Sequence, residues 1–244
     1  MQLRNKIFDK YYSVHGKFLD EEIGGRQRWF DNLCEANYAR YIPSLREVKI
    51  LEIGCGKGYI LKWLQSKGYF NIEGVDLSPE DIEIAKKYVG IDSIYCVNAI
   101  EYLSTRENTY DCIMGKDILE YIEKNELDES LDAIRRALKP NGRIIHQVPN
   151  MDWIMASHER YMDLTHEVGF TRESLGELLR LYFENVSVFP VEYDFPSSIR
   201  SKIAFKVIRP VAIKLVWLIL KVLGGGAESC LFQHREILGT GIKR

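Results

Sequence analysis

Apolar and polar positions follow two patterns along the chain, and the change between them defines the predicted elements. From residue 47 onward, short apolar runs are separated by amphipathic segments. The apolar runs predict strands over residues 49–53, 71–76, 93–97, 110–115, 143–148, 186–193 and 231–242. The amphipathic segments predict helices over residues 58–66, 79–89, 126–138 and 171–182. Strands joined by helices imply βαβ units, and therefore an α/β fold with a parallel sheet.

Three regions follow from this pattern. Residues 1–46 are helical in character, rich in aromatic side chains and ended by Pro43, which predicts an N-terminal helical cap. Residues 47–198 and 227–244 carry the strand and helix alternation of the main domain. Residues 199–226 form an insertion, because two neighbouring strands need a connection of only a few residues. A chain of 244 residues is long enough for one large domain with such an addition.

Composition and charge narrow the classes of function. The net charge of −2 gives no global attraction to nucleic acid, and no basic groove is visible, so no nucleic-acid partner is expected. The five cysteines show no C-x-x-C spacing, which indicates reduced thiols. The N-terminus is polar and charged, and no cleavable secretory signal is visible. We therefore predict a cytoplasmic protein.

The segment over residues 51–58, Leu-Glu-Ile-Gly-Cys-Gly-Lys-Gly, is the most informative of the chain. A predicted strand runs into a glycine turn that opens a helix, where the backbone approaches a ligand closely and offers unpaired N–H donors. The G-x-G-x-G spacing differs from the dinucleotide pattern G-x-G-x-x-G, because Tyr59 takes the position of the third glycine. The next strand ends at Asp76, a carboxylate placed to accept hydrogen bonds from ribose hydroxyls. The glycine turn and Asp76 together predict a ribose-containing cofactor, and the spacing gives less reason to expect a pyrophosphate.

With three further motifs, this segment resembles class I S-adenosylmethionine-dependent methyltransferases over residues 45–190. The motifs are Val-Asn-Ala at 97–99, Tyr-Asp-Cys-Ile-Met-Gly-Lys-Asp-Ile-Leu-Glu-Tyr at 110–121 and Leu-Lys-Pro-Asn-Gly-Arg at 138–143. The resemblance implies S-adenosylmethionine as cofactor and a Rossmann-like sheet of seven strands in the order 3-2-1-4-5-7-6, with the last strand reversed. It places Asn98 against the adenine amino group, where Asp is commoner. Tyr121 stands where the family usually has His, which puts His-dependent chemistry at that point in question.

These patterns give one set of predicted cofactor-binding residues, which comprises Glu52, Gly54, Gly56, Gly58, Asp76, Leu77, Asn98, Ala99 and Lys116.

A polar loop after the fifth strand is the predicted acceptor site, because ligands bind at the carboxyl ends of parallel strands. Residues 158–167 contain two histidines, an arginine and several carboxylates. An alcohol acceptor needs a base to take its proton. We predict His166 as this base, with Asp163 as its partner or as a sugar ligand and His158 as a further candidate. No carboxylate set for an octahedral metal site is visible, so no metal is expected.

The acceptor is the least determined part of the prediction. Residues 163–171, Asp-Leu-Thr-His-Glu-Val-Gly-Phe-Thr, resemble a segment of bacterial methyltransferases encoded with surface-polysaccharide enzymes. That resemblance implies a sugar hydroxyl of a surface glycan or of its lipid-linked precursor. Methylation of a small metabolite or a quinone-like lipid is the enzymatic alternative. A non-catalytic scaffold that binds the cofactor and acts as an interaction module is the alternative from another class.

The inserted segment 199–226 combines a wide apolar face with basic residues. On a regular helix Lys202, Lys206, Arg209, Lys214 and Lys221 fall within one arc of about 140°. This is the pattern of a helix that lies in a membrane interface, and it also suits a homodimer or packing on the chain's own domain. The longest charge-free run is too short for a transmembrane span. Pro210 is expected to kink or split the helix.

Overall fold

The computed structural model describes residue 7 and residues 23–195, 198–224 and 230–244. Numbered within these residues, the helices are α1 (Ile23–Asn37), α2 (Tyr59–Ser66), α3 (Pro79–Val89), α4 (Ala99–Ser104), α5 (Leu127–Ala137), α6 (Ala156–Tyr161), α7 (Arg172–Arg180), α8 (Ile199–Ile203) and α9 (Arg209–Val222). The strands are β1 (Ile50–Ile53), β2 (Ile72–Asp76), β3 (Ile94–Cys96), β4 (Tyr110–Lys116), β5 (Leu138–Pro149), β6 (Glu184–Pro190) and β7 (Glu236–Ile242).

The seven strands form one sheet in the order β3-β2-β1-β4-β5-β7-β6, which confirms the predicted topology. β1 pairs in parallel with both β2 and β4, while β7 runs antiparallel to its neighbours β5 and β6. Two apolar cores lie on the two faces of the sheet, one beneath α1, α2 and α3 and the other beneath α4, α5 and α7. The chain order reverses between β1 and β4, and their carboxyl ends open a crevice there, where such sheets bind ligands.

Local sequence explains where the helices begin. Ser78 accepts a hydrogen bond from the backbone N–H of Asp81, and Pro79 occupies the first turn of α3. Thr171 caps α7 as predicted and forms a reciprocal capping box with Ser174. The short helices α4 and α6 lie in segments that the sequence pattern left without an element.

β5 is longer than the predicted strand 143–148. It begins at Leu138, which pairs with Tyr110, and the register then shifts so that Arg143 pairs with Cys112. The intervening residues bulge through Asn141, whose φ is +62°. The backbone of Lys243 holds the bulge at both ends, accepting from Asn141 N and donating to Gly142 O. The segment between the predicted helix 126–138 and the predicted strand 143–148 is thus a bulge inside a strand.

The N-terminal cap is described in its second half. α1 buries Leu33 and Cys34, and Tyr38, just after the helix, is also buried. The Tyr38 hydroxyl donates to the side-chain oxygen of Gln147 on β5, which ties the cap to the sheet. Residues 1–6 and 8–22, which include several aromatic residues of the predicted N-terminal cap, lie outside the described residues.

Residues 198–224 form a helical segment that lies outside the two apolar cores. α8, a π-helical turn over Ala204–Ile208 and α9 follow one another without an intervening loop, and none of them contains a buried residue. Pro210 lies in the first turn of α9, directly after the π turn, so the predicted interruption is a change of helical pitch. Among the described residues, no helix has the length and apolar character needed to cross a membrane.

Candidate active site

A cavity of about 310 Å³ opens at the carboxyl ends of β1, β2 and β4. Its size suits a ligand of a few tens of atoms. Seven of the nine predicted cofactor-binding residues line this cavity: Gly54, Gly56, Asp76, Leu77, Asn98, Ala99 and, at the end of β4, Lys116.

The glycine loop forms one wall of the cavity. Gly54 and Gly56 have φ of +68° and +47°, in the left-handed region that favours glycine. A Cβ on Gly54 would lie 1.8 Å from Cδ1 of Ile118, whereas a Cβ on Gly56 would meet no atom within 4 Å. Gly56 therefore leaves space on the cavity side, as the close approach of a ligand to the backbone requires.

Asp76 closes the same wall from the end of β2. One carboxylate oxygen accepts from Gly56 N at 2.8 Å, and the other accepts from Ser78 N at 2.8 Å. Burial raises the pKa of this carboxyl above its ordinary value, and the backbone hydrogen bonds only partly oppose that shift. The remaining acceptor capacity of the carboxylate faces the cavity, which fits the ribose of S-adenosylmethionine.

Glu52 and Gly58 lie behind the wall and outside the cavity lining. Glu52 is buried in β1, and burial together with the nearby Asp76 raises the pKa of its carboxyl. Gly58 precedes α2 with φ of +79°, and a Cβ there would lie 2.7 Å from Cγ2 of Val89 on α3. Gly58 thus occupies a packing position between two helices. The G-x-G-x-G spacing does not distinguish this packing glycine from the glycines that line the cavity.

The two glycines allow a matched test. Gly58→Ala is expected to lower the free energy of unfolding by about 1–2 kcal/mol for the left-handed backbone, with an added cost for the contact with Val89. Gly56→Ala carries the backbone cost alone, and its new methyl group occupies cavity space. Urea unfolding should show Gly58→Ala as the less stable variant, while calorimetry should show weaker S-adenosylmethionine binding for Gly56→Ala. The reverse pattern would contradict these two positions.

Asn98 occupies the expected place after β3, but its oxygen has a structural partner. The side-chain Oδ1 accepts from Ile100 N at 2.8 Å and from Glu101 N at 3.2 Å, which caps α4. The predicted contact of this side chain with the adenine amino group needs an acceptor, and the capping bonds use that oxygen. The amide NH₂ of Asn98 is the group left for a ligand, and it suits a ring nitrogen, which accepts hydrogen bonds.

A charged cluster lies at the end of β4, beside the cavity. Lys116 forms ion pairs with Asp117 and, at 3.5 Å, with Glu236 of β7. Burial lowers the pKa of Lys116, but Asp117 and Glu236 together with Tyr193 and Tyr38 raise it more, so the net direction is upward and the ammonium persists. Asp117 has φ of +54°, in the left-handed region that few residues other than glycine, asparagine and aspartate adopt. Lys116 thus holds carboxylates in place around the lining.

The 3₁₀ turn Leu119–Tyr121 that follows this cluster contains two residues absent from the predicted site. Glu120 is buried, and burial together with Asp117 raises the pKa of its carboxyl well above the ordinary value. Tyr121, which replaces the family's usual histidine, lines the cavity. Its hydroxyl donates to Asp163 at 3.2 Å. Tyr121, the residue that departs from the family motif, therefore connects the cofactor cavity to the predicted acceptor loop.

His166 lies next to this tyrosine. The two rings meet edge to face with centroids 4.8 Å apart, and His166 Nδ1 lies 3.0 Å from the carbonyl oxygen of Glu159. Since a carbonyl oxygen only accepts, this contact places the proton of a neutral imidazole on Nδ1 and the lone pair on Nε2. The Glu159 carboxylate is itself held by Arg235, at 3.1 Å. This tautomer leaves Nε2 of His166 able to accept a proton.

The other two predicted catalytic residues lie differently. The Asp163 carboxylate is buried and accepts from Thr165 N at 2.8 Å and Thr165 Oγ1 at 2.6 Å, as well as from Tyr121. These bonds fold the loop onto Tyr121. His158 lies on α6 with an exposed side chain.

The fold and this cavity define the S-adenosylmethionine-dependent methyltransferases. A family model described as a methyltransferase domain matches residues 26–188, and the chain belongs to this family. The structure also matches a crystal structure of a SAM-dependent methyltransferase from Archaeoglobus fulgidus, with a TM-score of 0.69 at 22% identity over 96% of this chain and 100% of that one. At this identity the match shows the shared fold.

Two curated relatives are O-methyltransferases. The malonyl-[acyl-carrier protein] O-methyltransferase of Priestia megaterium is 33% identical over 178 residues, which are 72% of this chain and 63% of the relative. The mitochondrial ubiquinone biosynthesis O-methyltransferase of Schizosaccharomyces pombe is 32% identical over 103 residues, 40% of this chain and 36% of the relative. The chain thus spans less than two thirds of the length of these relatives. Their named acceptors differ from each other and from a sugar.

Proposed function

We propose that the protein methylates the oxygen of a sugar hydroxyl, in a surface glycan or its lipid-linked precursor, with His166 as the general base. The observation that carries this proposal is the position of His166. Its ring contacts Tyr121, which lines the cofactor cavity, and its tautomer leaves a lone pair on Nε2. An oxygen acceptor with a high pKa needs such a base beside the site of transfer.

The cofactor-binding residues have the other roles in the proposed reaction. S-adenosylmethionine supplies a methyl group activated by its sulfonium centre, so catalysis consists mainly of positioning and proton removal. Asp76 accepts hydrogen bonds from the ribose, and Gly56 allows the cofactor to approach the backbone closely. Lys116 keeps Asp117 in place by an ion pair. His166 takes the proton of the acceptor hydroxyl.

The sugar acceptor is supported by the loop around the base. Residues 163–171 carry the segment that resembles polysaccharide-associated methyltransferases, and the structure folds this segment onto Tyr121 through Asp163. The same loop exposes Tyr161, a residue with 75% of its surface accessible, and an exposed aromatic side chain suits stacking against a pyranose. Backbone carbonyls of His166 and Glu167 accept from Arg160, which fixes the loop.

A quinone-like phenol is the second candidate. Two observations favour it: a relative is named for ubiquinone biosynthesis, and apolar Ile118 and Ile122 line the cavity beside Tyr121. Met155 and Met162 are exposed on the adjoining loop, where a lipophilic chain would have apolar surface. The same base would serve a phenol.

A transfer assay with methyl-labelled S-adenosylmethionine separates these candidates. The acceptors are a panel of alkyl glycosides, an alkyl catechol and, as the matched control, the same glycosides with every hydroxyl already methylated. We expect label on at least one free glycoside and none on its blocked form. Preferential labelling of the catechol would move the assignment to the quinone-like acceptor. Cofactor binding without transfer to these acceptors or to a bacterial glycolipid extract would favour the non-catalytic scaffold.

A further inference from the structure

The exposed apolar surface of the molecule is concentrated in two segments. Fifteen of the twenty large apolar side chains that the described residues expose lie within residues 154–164 and 199–223. On α9 they follow a spacing of three and four residues, which places them on one side of the helix. We call this set the apolar stripe, and it consists of Val211, Leu215, Leu218, Ile219 and Val222.

The opposite side of α9 already faces the protein. Ile213, Val216, Trp217 and Leu220 are partly covered, and the Trp217 ring packs against Phe232 with centroids 5.3 Å apart. Arg209, which belongs to the predicted basic arc, forms an ion pair with Asp194 of its own chain at 3.0 Å. α9 is therefore apolar on two sides, with only one of them covered. A contiguous exposed apolar surface of this kind marks an interaction site.

Charge identifies the kind of partner. Residues 199–224 contain six basic and no acidic residues, in a chain whose net charge is −2. Lys214 and Lys221 border the apolar stripe and, with Trp217 and Leu218, line a shallow surface depression. Two copies paired through this face would bring like charges together, and lysine is depleted from the cores of protein interfaces. Apolar side chains bordered by lysines match the interface of a membrane with anionic headgroups.

The helical segment connects directly to the loop of the candidate base. The carbonyl of Phe232, which contacts Trp217, accepts from Ile154 N at 3.1 Å. Ile154 begins the second exposed apolar segment, and Leu164 within it is 80% exposed. The two exposed segments therefore meet through residue 232, next to the loop that carries His166.

We propose that residues 199–223, together with the exposed side chains of 154–164, form a docking surface for an anionic lipid bilayer. α9 lies along the interface with the apolar stripe among the acyl chains, and Lys206, Lys214 and Lys221 contact phosphate headgroups. This orientation brings the loop of His166 to the membrane surface. The docking does not depend on the identity of the acceptor and stands apart from the proposed function.

Cosedimentation with vesicles tests the apolar part. The full chain is mixed with vesicles of phosphatidylglycerol and phosphatidylcholine, or of phosphatidylcholine alone. We expect binding to the anionic vesicles, lost in Leu215→Glu/Leu218→Glu. Phe70→Glu/Leu181→Glu is the matched control, because both side chains are exposed apolar residues on other surfaces. Retained S-adenosylmethionine binding verifies that each variant is folded.

A second pair of variants tests the charge. Lys206→Gln/Lys214→Gln/Lys221→Gln should bind anionic vesicles roughly 100-fold more weakly, since each lysine near the surface adds about fivefold. Lys86→Gln/Lys87→Gln/Lys124→Gln changes the net charge equally and should bind normally. Equal binding to both vesicle types, or no binding by the folded chain, would overturn the proposal. A dimer in light scattering that Leu215→Glu/Leu218→Glu dissociates, without vesicle binding, would assign the surface to a second copy.

Discussion

Replacement of His166 by alanine is expected to lower turnover by roughly 10²–10⁴-fold while cofactor affinity stays the same. The ring contacts Tyr121 at the cavity, and its Nδ1 is fixed by the carbonyl of Glu159, so the variant loses an oriented proton acceptor. The residue does not line the cofactor cavity, which is why binding should survive. Single-turnover methyl transfer measures the loss, and calorimetry with S-adenosylmethionine measures the binding.

The same loop supplies the control. His158→Ala removes an exposed imidazole from α6, and its turnover is expected to remain near that of the unchanged protein. Tyr121→Phe removes the hydroxyl bond to Asp163 and should lower turnover less than His166→Ala, because it perturbs the loop without removing the base. Near-normal turnover of His166→Ala, with a large loss in His158→Ala, would exchange their roles.

The second large effect is expected for Asp76→Ala, which should weaken S-adenosylmethionine binding by roughly 100-fold or more. Each hydrogen bond to a charged group contributes about 1.5–3 kcal/mol, and the ribose offers two hydroxyls. The carboxylate also holds Gly56 N and Ser78 N, so the glycine wall loses an anchor at the same time. Isothermal calorimetry with purified protein gives the affinity directly.

Two further variants separate the causes. Asp76→Asn keeps one acceptor oxygen for the backbone and should bind the cofactor with intermediate affinity. Asp92→Ala removes an exposed carboxylate from the loop between α3 and β3 and should bind normally. If Asp76→Ala binds as tightly as the unchanged protein, the ribose contact is wrong.

The pH dependence follows from the raised pKa of Asp76. Because the ribose bonds need the carboxylate form, affinity is complete above that pKa and falls as the pH decreases through it, starting at higher pH than for an ordinary aspartate. The position of Asp76 could be predicted from the sequence, because an acidic residue at the end of the strand after a glycine loop is a local pattern. The burial that raises its pKa could not be predicted in this way, because it depends on the neighbouring strands.

The same division holds elsewhere in the chain. α3 was predicted with its observed bounds because Ser78, Pro79 and the apolar spacing agree locally. Asp163 and Tyr121 lie 42 positions apart, and their hydrogen bond depends on how the loop folds over the sheet. The spacing of residues 158–167 indicated a polar loop but not which side chains bond to one another. The π turn before Pro210 likewise reflects backbone geometry that an even helical period does not predict.

The acidic side chains of the cavity should affect the binding of cofactor and of product differently. Asp76, Asp81, Asp117 and Glu126 line the cavity, and Lys116 is the basic residue among its described lining residues. Such a lining attracts a sulfonium cation, and the product thioether no longer carries that charge. The electrostatic share of the binding free energy therefore falls once the methyl group has left, and added salt should weaken binding of the cofactor more than binding of the product. The electrostatic attraction that favours binding of the cofactor is therefore weaker for the product.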